Sequence, residues 1–340
     1  MTDLNTKLEI FDAIASRRNE RRNFLRFAGG SALAIGGATL LSACGRDDSD
    51  LAPTPTPGPA PVAALNDADV LNVALNLEYL EAQFYAFAAF GVGLNANMLT
   101  GIGTQGAVTG GAQVPFQDTV VREYAREIAI DEVAHVAFLR SALGSAAVAQ
   151  PAIDISVGTV AAPGAFTAAA RAAGVIGATG VFNPYADDNS FLLGAYIFED
   201  VGVSAYKGAA PLIANKTYLE AAAGILAAEA YHAGLIRTVL YRKGLQTPNP
   251  IPSLITAANQ ISDARDSLDG SSDDDQGITG SDPTISNIVP TDANGLAYSR
   301  SVAQVHNIVY LTPTAKIGGG FFPNGTNNRL DSLRTSGANA

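Results

Sequence analysis

The chain of 340 residues contains only three histidines, and two of them complete Glu-x-x-His pairs, Glu132/His135 and Glu229/His232. Each pair lies in an apolar stretch with helical spacing, and each is preceded by another such stretch carrying a glutamate in its apolar stripe. Helix neighbours fall at i±3, i±4 and i±7. Around Glu132 those positions hold Ala125, Ile128, Ala129, Val136 and Leu139; around Glu229 they hold Ala222, Ile225, Leu226, Ala233 and Ile236. Glu78 and Glu199 sit in stripes of the same kind, with Leu71, Ala74, Leu75 and Ala82, and with Leu192, Ala195, Gly202 and Val203. The order Glu, Glu-x-x-His, Glu, Glu-x-x-His over four helices is a ligand set for a carboxylate-bridged pair of metal ions in a four-helix bundle.

The energetics support this reading over one of ordinary core residues. A lone buried carboxylate or imidazole costs on the order of several kcal/mol unless it is paired, protonated or metal-bound. Two divalent cations balance four carboxylates, and two neutral imidazoles complete the shell. Arg122, Arg126, Arg140, Lys207 and Arg237 fall off these stripes or toward helix ends, so they are poor salt-bridge partners for the glutamates. The expected metal ligands are therefore Glu78, Glu132, His135, Glu199, Glu229 and His232. Glu81 is an alternative to Glu78, and an internal repeat favours Glu78. Tyr85 follows Glu78 by seven residues and Tyr206 follows Glu199 by seven, so both halves read Glu-x6-Tyr, then Glu-x-x-His. Each tyrosine is positioned to hydrogen-bond a ligand carboxylate two turns away, to donate an electron, or to pack as a core aromatic. Glu123 and Glu220 also match between the halves and are read as helix-start charges.

The first 43 residues read as an export signal. Arg21-Arg22-Asn23-Phe24-Leu25-Arg26 is a twin-arginine motif, and the run from Phe27 to Ala43 is too short for a membrane span of ~20 apolar residues. Leu41-Ser42-Ala43-Cys44 resembles a lipobox, with Cys44 the lipidated residue. The reading places the protein in the periplasm or cell envelope. Cys44 is the only cysteine, which excludes an internal disulfide and a cysteine-ligated iron–sulfur centre. Cleavage there leaves 15 basic and 28 acidic residues, a net charge of −13. Such a chain is poorly suited to nucleic acid or to an anionic membrane surface. The membrane is reached through the lipid alone.

The expected layout is a signal over 1–43, a Pro-rich tether over 44–65, the bundle over 66–244 and an extension over 245–340. The bundle helices are expected at about 66–91, 116–143, 187–210 and 217–243. The 145–186 link is long enough to be a crossover between opposite ends of the bundle. Residues 262–283, rich in Asp, Ser and Gly, read as a solvated mobile loop. Asp273-Asp274-Asp275 lacks EF-hand spacing, so no calcium site is expected. His306 has no assigned role; it is expected at the surface, with packing against the bundle or covering the site mouth as the alternatives.

Asn76-Leu77-Glu78 with Tyr85, Glu132/His135, Glu199 and Glu229/His232 resemble the ferritin-like superfamily over roughly residues 66–244. More narrowly, Leu75-Asn76-Leu77-Glu78-Tyr79-Leu80-Glu81-Ala82, Ala303-Gln304-Val305-His306-Asn307-Ile308-Val309-Tyr310 and Phe321-Phe322-Pro323-Asn324-Gly325 resemble bacterial ferritin-like domain proteins related to plant desiccation-related proteins. The resemblance implies an all-α, ferritin-like four-helix bundle with long inter-helix loops and an irregular C-terminal extension. It also implies that Glu132 and Glu229 bridge the metals while Glu78 and Glu199 each bind one terminally. The expected cofactor is two iron ions, with manganese as the alternative. The expected partners are those ions, O2 or H2O2, and a second copy in a homodimer. Three functions follow: a di-iron oxidase or peroxidase protecting against oxidants, a manganese catalase-like dismutase of peroxide, and a non-catalytic stress or desiccation protein. The signal, the long loops and the tail argue against a closed storage shell.

Overall fold

The computed structural model describes residues 64–246 and 254–339. The twin-arginine motif, Cys44 and nearly all of the Pro-rich tether lie outside them. The core is four long helices: α1 (Asp67–Phe90), α2 (Thr119–Leu143), α4 (Asp188–Ala209) and α5 (Lys216–Gln246). A short α3 (Ala165–Ala172) lies in the connection between the two helical pairs. No helix of the described residues is long and apolar enough to cross a membrane.

The helix ends follow local chemistry. Asn66 caps α1 in a capping box with Asp69, and Gly91 ends it in the left-handed region at φ 73°. Asp118 caps α2 and Asp187 caps α4 through their carboxylates. The α2 start therefore falls three residues later than expected, because Pro115 to Gln117 form the approach to the cap. Helix α5 runs on to Gln246, past the expected stop at Gly244. That glycine is retained inside the helix because a Cβ there would come within 2.6 Å of the Ile255 side chain.

Cross-helix contacts fix the topology. The backbone N–H groups of Gln117 and Asp118 donate to Asp188, which puts the starts of α2 and α4 side by side. Lys243 near the end of α5 pairs with Asp118 at 2.9 Å, and Asp67 at the start of α1 accepts from Ala214 and Asn215. Helices α2 and α4 are thus parallel, and α1 and α5 run against them. The 145–186 link is the full-length crossover this requires. It carries β2 (Ile153–Ile155), which pairs in parallel with β1 (Val108–Gly110), Val108 opposite Ile153, and ties the two long loops together.

The C-terminal extension packs on the bundle, and its acidic segment is more ordered than its composition suggested. Helix α6 (Leu254–Asp269) packs on α4 and α5, and α7 (Val302–Val309) packs on α4 and α6. The expected mobile loop at 262–283 is instead half helix and half anchored coil. Arg237 donates to Asp200 at 2.7 Å; Arg265 bridges Asp200 at 2.9 Å and Asp275 at 2.8 Å. Arg300 continues the chain to Asp275 at 2.9 Å and to Asp269. Six buried charges alternate in sign, so none is left uncompensated. Arg237 therefore is a core residue, 0% exposed, rather than a helix-end charge, though its partner is Asp200 and not a site glutamate.

His306 is likewise buried, 1% exposed. Its ring stacks on Tyr310 at 4.8 Å between centroids, and its Nε2 lies 3.1 Å from the Thr326 hydroxyl. It fastens the tail to itself and is not a surface group.

Candidate metal centre

Glu78, Glu132, His135, Glu199, Glu229 and His232 all project into the middle of the bundle, each at most 7% exposed. Ligand atoms of Glu78, Glu132, His135 and Glu229 lie within 4.8 Å of one another, and so do those of Glu199, Glu229 and His232. Glu229 belongs to both groups. Glu132 spans them as well, turning Oε2 toward His135 Nδ1 at 3.6 Å and Oε1 toward His232 Nδ1 at 3.1 Å. Glu78 lies 3.1 Å from His135 and Glu199 3.8 Å from His232. The site has the approximate two-fold pattern of the sequence repeat.

The donor atoms converge without satisfying each other. Both oxygens of Glu132, both of Glu229, Oε2 of Glu199 and Nδ1 of His232 are buried with no hydrogen-bond partner. Buried polar groups in a folded core are nearly always paired, so a concentration of six orphans marks a place for a cation. Oxygen and imidazole donors in this ratio suit iron or manganese.

Electrostatics give the same picture for the metal-free cluster. Burial pushes the carboxyls of Glu78 and Glu199 up, to about 7 and about 8, against the pull of His135 and His232. Burial, reinforced by neighbouring carboxylates, holds Glu81 and Glu229 well above the usual range. Burial would lower both imidazoles, but nearby carboxylates outweigh it and raise them, His232 to about 10. Glu132 is held below the ordinary value because the two imidazoles outweigh its burial. Without cations, protons must stand in for them.

The tyrosines reach across the bundle. The Tyr85 hydroxyl of α1 donates to Glu199 of α4, and the Tyr206 hydroxyl of α4 donates to Glu78 of α1. The sequence spacing suggested a contact two turns away along the same helix, but at i+7 the side chain points to the facing helix instead. Burial and the adjacent carboxylates push both phenols well above their ordinary value, so each stays a donor near neutrality.

Three residues add to the sequence-derived set. Glu81, weighed as an alternative to Glu78, is also in the centre at 5% exposed, making five buried carboxylates. Gly202 occupies the position in α4 that Glu81 occupies in α1. A Cβ there would come within 2.5 Å of Glu229 Oε2 and 3.5 Å of Glu81 Oε1. The repeat Glu-x-x-Glu against Glu-x-x-Gly was the available signal. Asp131 lies 3.5 Å from His232 Nε2, on the far side of the ring from the cluster. A carboxylate there orients a ligand imidazole. Glu123 and Glu220 are exposed, as expected of helix-start charges.

A buried carboxylate–imidazole cluster at the centre of four helices with one crossover defines a ferritin-like bundle. The Ferritin-like domain family profile matches residues 66–242, and the chain belongs to that family. It is 27% identical over 271 residues to the ferritin-like catalase Nec2 of Nesocodon mauritianus, covering 78% of this chain and 84% of that protein. It is 29% identical over 245 residues to the desiccation-related protein PCC13-62 of Craterostigma plantagineum, covering 69% of this chain and 75% of that protein.

Proposed function

We propose that the bundle holds two redox-active metal ions, iron or manganese, and that the loaded protein consumes hydrogen peroxide by dismutation. The observation that carries this reading is the set of six buried, unpartnered donor atoms spread over Glu132, Glu199, Glu229 and His232. Glu132 and Glu229 would be shared between the ions, Glu78 and His135 would complete one, and Glu199 and His232 the other. The catalase named among the relatives supports the choice of peroxide.

Dismutation takes two H2O2 to one O2 and two H2O. One peroxide gives up two electrons and two protons, and the other accepts them as its O–O bond breaks. A bound pair of ions supplies the two-electron couple between these half-reactions. The chain's residues do the rest. Tyr85 and Tyr206 hold Glu199 and Glu78 in place by donating to them. Glu81 is positioned to hold or pass a proton beside Glu229, both carboxylates lying at the open Gly202 position. Leu75, Ala82, Ile128, Ala129, Val136 and Ala195, next to the ligands along their helices, are fully buried apolar neighbours of the site.

Oxygen release from hydrogen peroxide by the iron- or manganese-loaded protein tests the reading. The Glu132→Ala/His135→Ala variant is expected to bind no metal and release none. Peroxide loss no faster than with the same metal free in buffer would overturn it. The desiccation-related relative favours a second reading, in which metal only stiffens the bundle. In that case a chelator lowers the melting temperature and no turnover exists to abolish. Arg21-Arg22 and Cys44 support placement outside the cytoplasm on a lipid anchor, where an oxidant scavenger meets external peroxide.

A further inference from the structure

Between α1 and α4 the bundle leaves a seam where Ala74, Ala205 and Gly202 lie among larger neighbours, and α7 of the C-terminal extension roofs it. A hollow of about 10 Å³ lies there among Leu77, Leu80, Glu81, Phe198, Gly202 and Val309. That is room for about one water-sized molecule. A second hollow of about 30 Å³, among Val73, Ala74, Leu77, Ala205, Val302 and Val305, shares Leu77 with the first. Ala74, Ala205 and Val302 are only half-buried, so this second hollow is the outer one. The inner hollow touches the donor cluster, since Gly202 lies one absent Cβ from Glu229 Oε2.

We propose that this seam is the route by which a small neutral oxidant reaches the cluster, and that Val309 sets the size it admits. The proposal rests on the function proposed above and names how that site selects its substrate. Five buried carboxylates at the inner end disfavour an anion, and Arg300, which with Tyr206 lines the outer hollow, is already paired with Asp269 and Asp275. Hydrogen peroxide, one oxygen larger than water, passes with little displacement of these walls, whereas a branched alkyl hydroperoxide meets Leu77, Leu80 and Val309. The roof is built to stay in place. Helix α7 starts in a capping box of Ser301 and Gln304, and Phe321 N–H donates to the Val309 carbonyl at 2.9 Å. Leu311 follows in the left-handed region at φ 53°, turning the chain back so that the 318–322 loop can hold the helix end. The size limit is therefore a fixed wall rather than a moving lid.

The full-length ferrous-loaded protein, mixed with nitric oxide as a neutral diatomic probe, reports access by stopped-flow absorbance without turnover. Val309→Phe narrows the inner hollow and Ala74→Leu the outer one; either is expected to slow nitric oxide binding roughly tenfold or more at unchanged iron content. Val309→Ala is expected to speed single-turnover oxidation of the ferrous-loaded protein by tert-butyl hydroperoxide, in which the two ferrous ions supply the two electrons, while leaving oxidation by hydrogen peroxide nearly unaffected. If Val309→Phe does not fold, Ala74→Leu carries the test. Equal nitric oxide rates in all folded variants would overturn the route even if peroxide is consumed. Altered rates in a protein that never consumes peroxide would uphold the route and remove the proposed function. A protein that takes up neither iron nor manganese would overturn both.

Discussion

Tyr85 on α1 donates its phenolic proton to Glu199 on α4, so the first half of the repeat holds a donor carboxylate of the second. Tyr206 returns the contact to Glu78. The two halves are tied by exchange, and neither carboxylate is oriented by its own helix. Tyr85→Phe and Tyr206→Phe should each weaken metal affinity by about tenfold, within the range of supporting-residue substitutions at metal sites. Competition with a chelator of known affinity measures this. Unchanged affinity in both variants would show the hydroxyls to be passive.

Gly202→Ala should damage the site and spare the fold. Alanine is a better helix former than glycine by about 1 kcal/mol, so α4 itself gains. The new methyl, however, displaces the Glu229 carboxylate, which lies 2.5 Å from the ideal Cβ position. The expected result is an unchanged far-ultraviolet spectrum with loss of at least one bound ion. Full metal content in this variant would mean that Glu229 can be repositioned without cost.

The bundle and its ligand set were legible because periodicity places the glutamates on apolar stripes and each histidine one turn from its glutamate. The helix starts near Asn66 and Asp187 and the end near Gly91 were visible for the same local reasons. What could not be read was long-range. The spacing of Tyr85 says how far it is from Glu78 along a helix, but only the packing of α1 on α4 turns it to Glu199. The 262–283 segment looked solvated because its aspartates have no local partners. Asp269 and Asp275 find Arg265 and Arg300 only on folding, which also joins them to Asp200 and Arg237. Acidic composition alone cannot distinguish a free loop from one half of a buried ion-pair chain.

That chain anchors the extension to the bundle, and Arg237 is its innermost member. It donates to Asp200, to the Tyr196 hydroxyl and to the carbonyls of Gln276, Gly277 and Asn287. Arg237→Ala strands these acceptors in the core and should destabilise the protein by about 3–5 kcal/mol, as removal of one partner of a buried pair does. Arg237→Lys should recover little, because one ammonium cannot reproduce the planar fork. Denaturant unfolding decides this, and a loss below about 1 kcal/mol for Arg237→Ala would contradict the role given to the network.

His306 should make the fold acid-sensitive. Burial, assisted by the Arg334 charge, depresses its value to about 3, below the ordinary 6.5. The unfolded chain therefore binds a proton between those values that the folded chain refuses. Stability from this group is complete above pH 6.5 and is lost as pH falls toward 3, at about 1.4 kcal/mol per pH unit. His306→Gln should flatten that part of the stability profile measured by denaturant unfolding from pH 7 to 4. An identical slope in both proteins would assign the acid sensitivity elsewhere.

The central claim is that this bundle core binds a pair of ions. Elemental analysis of the purified, metal-loaded chain after removal of loosely held metal tests it most directly. The account requires two iron or manganese ions per chain in the native sequence and none in Glu132→Ala/His135→Ala. A native protein that folds and retains no metal would contradict it.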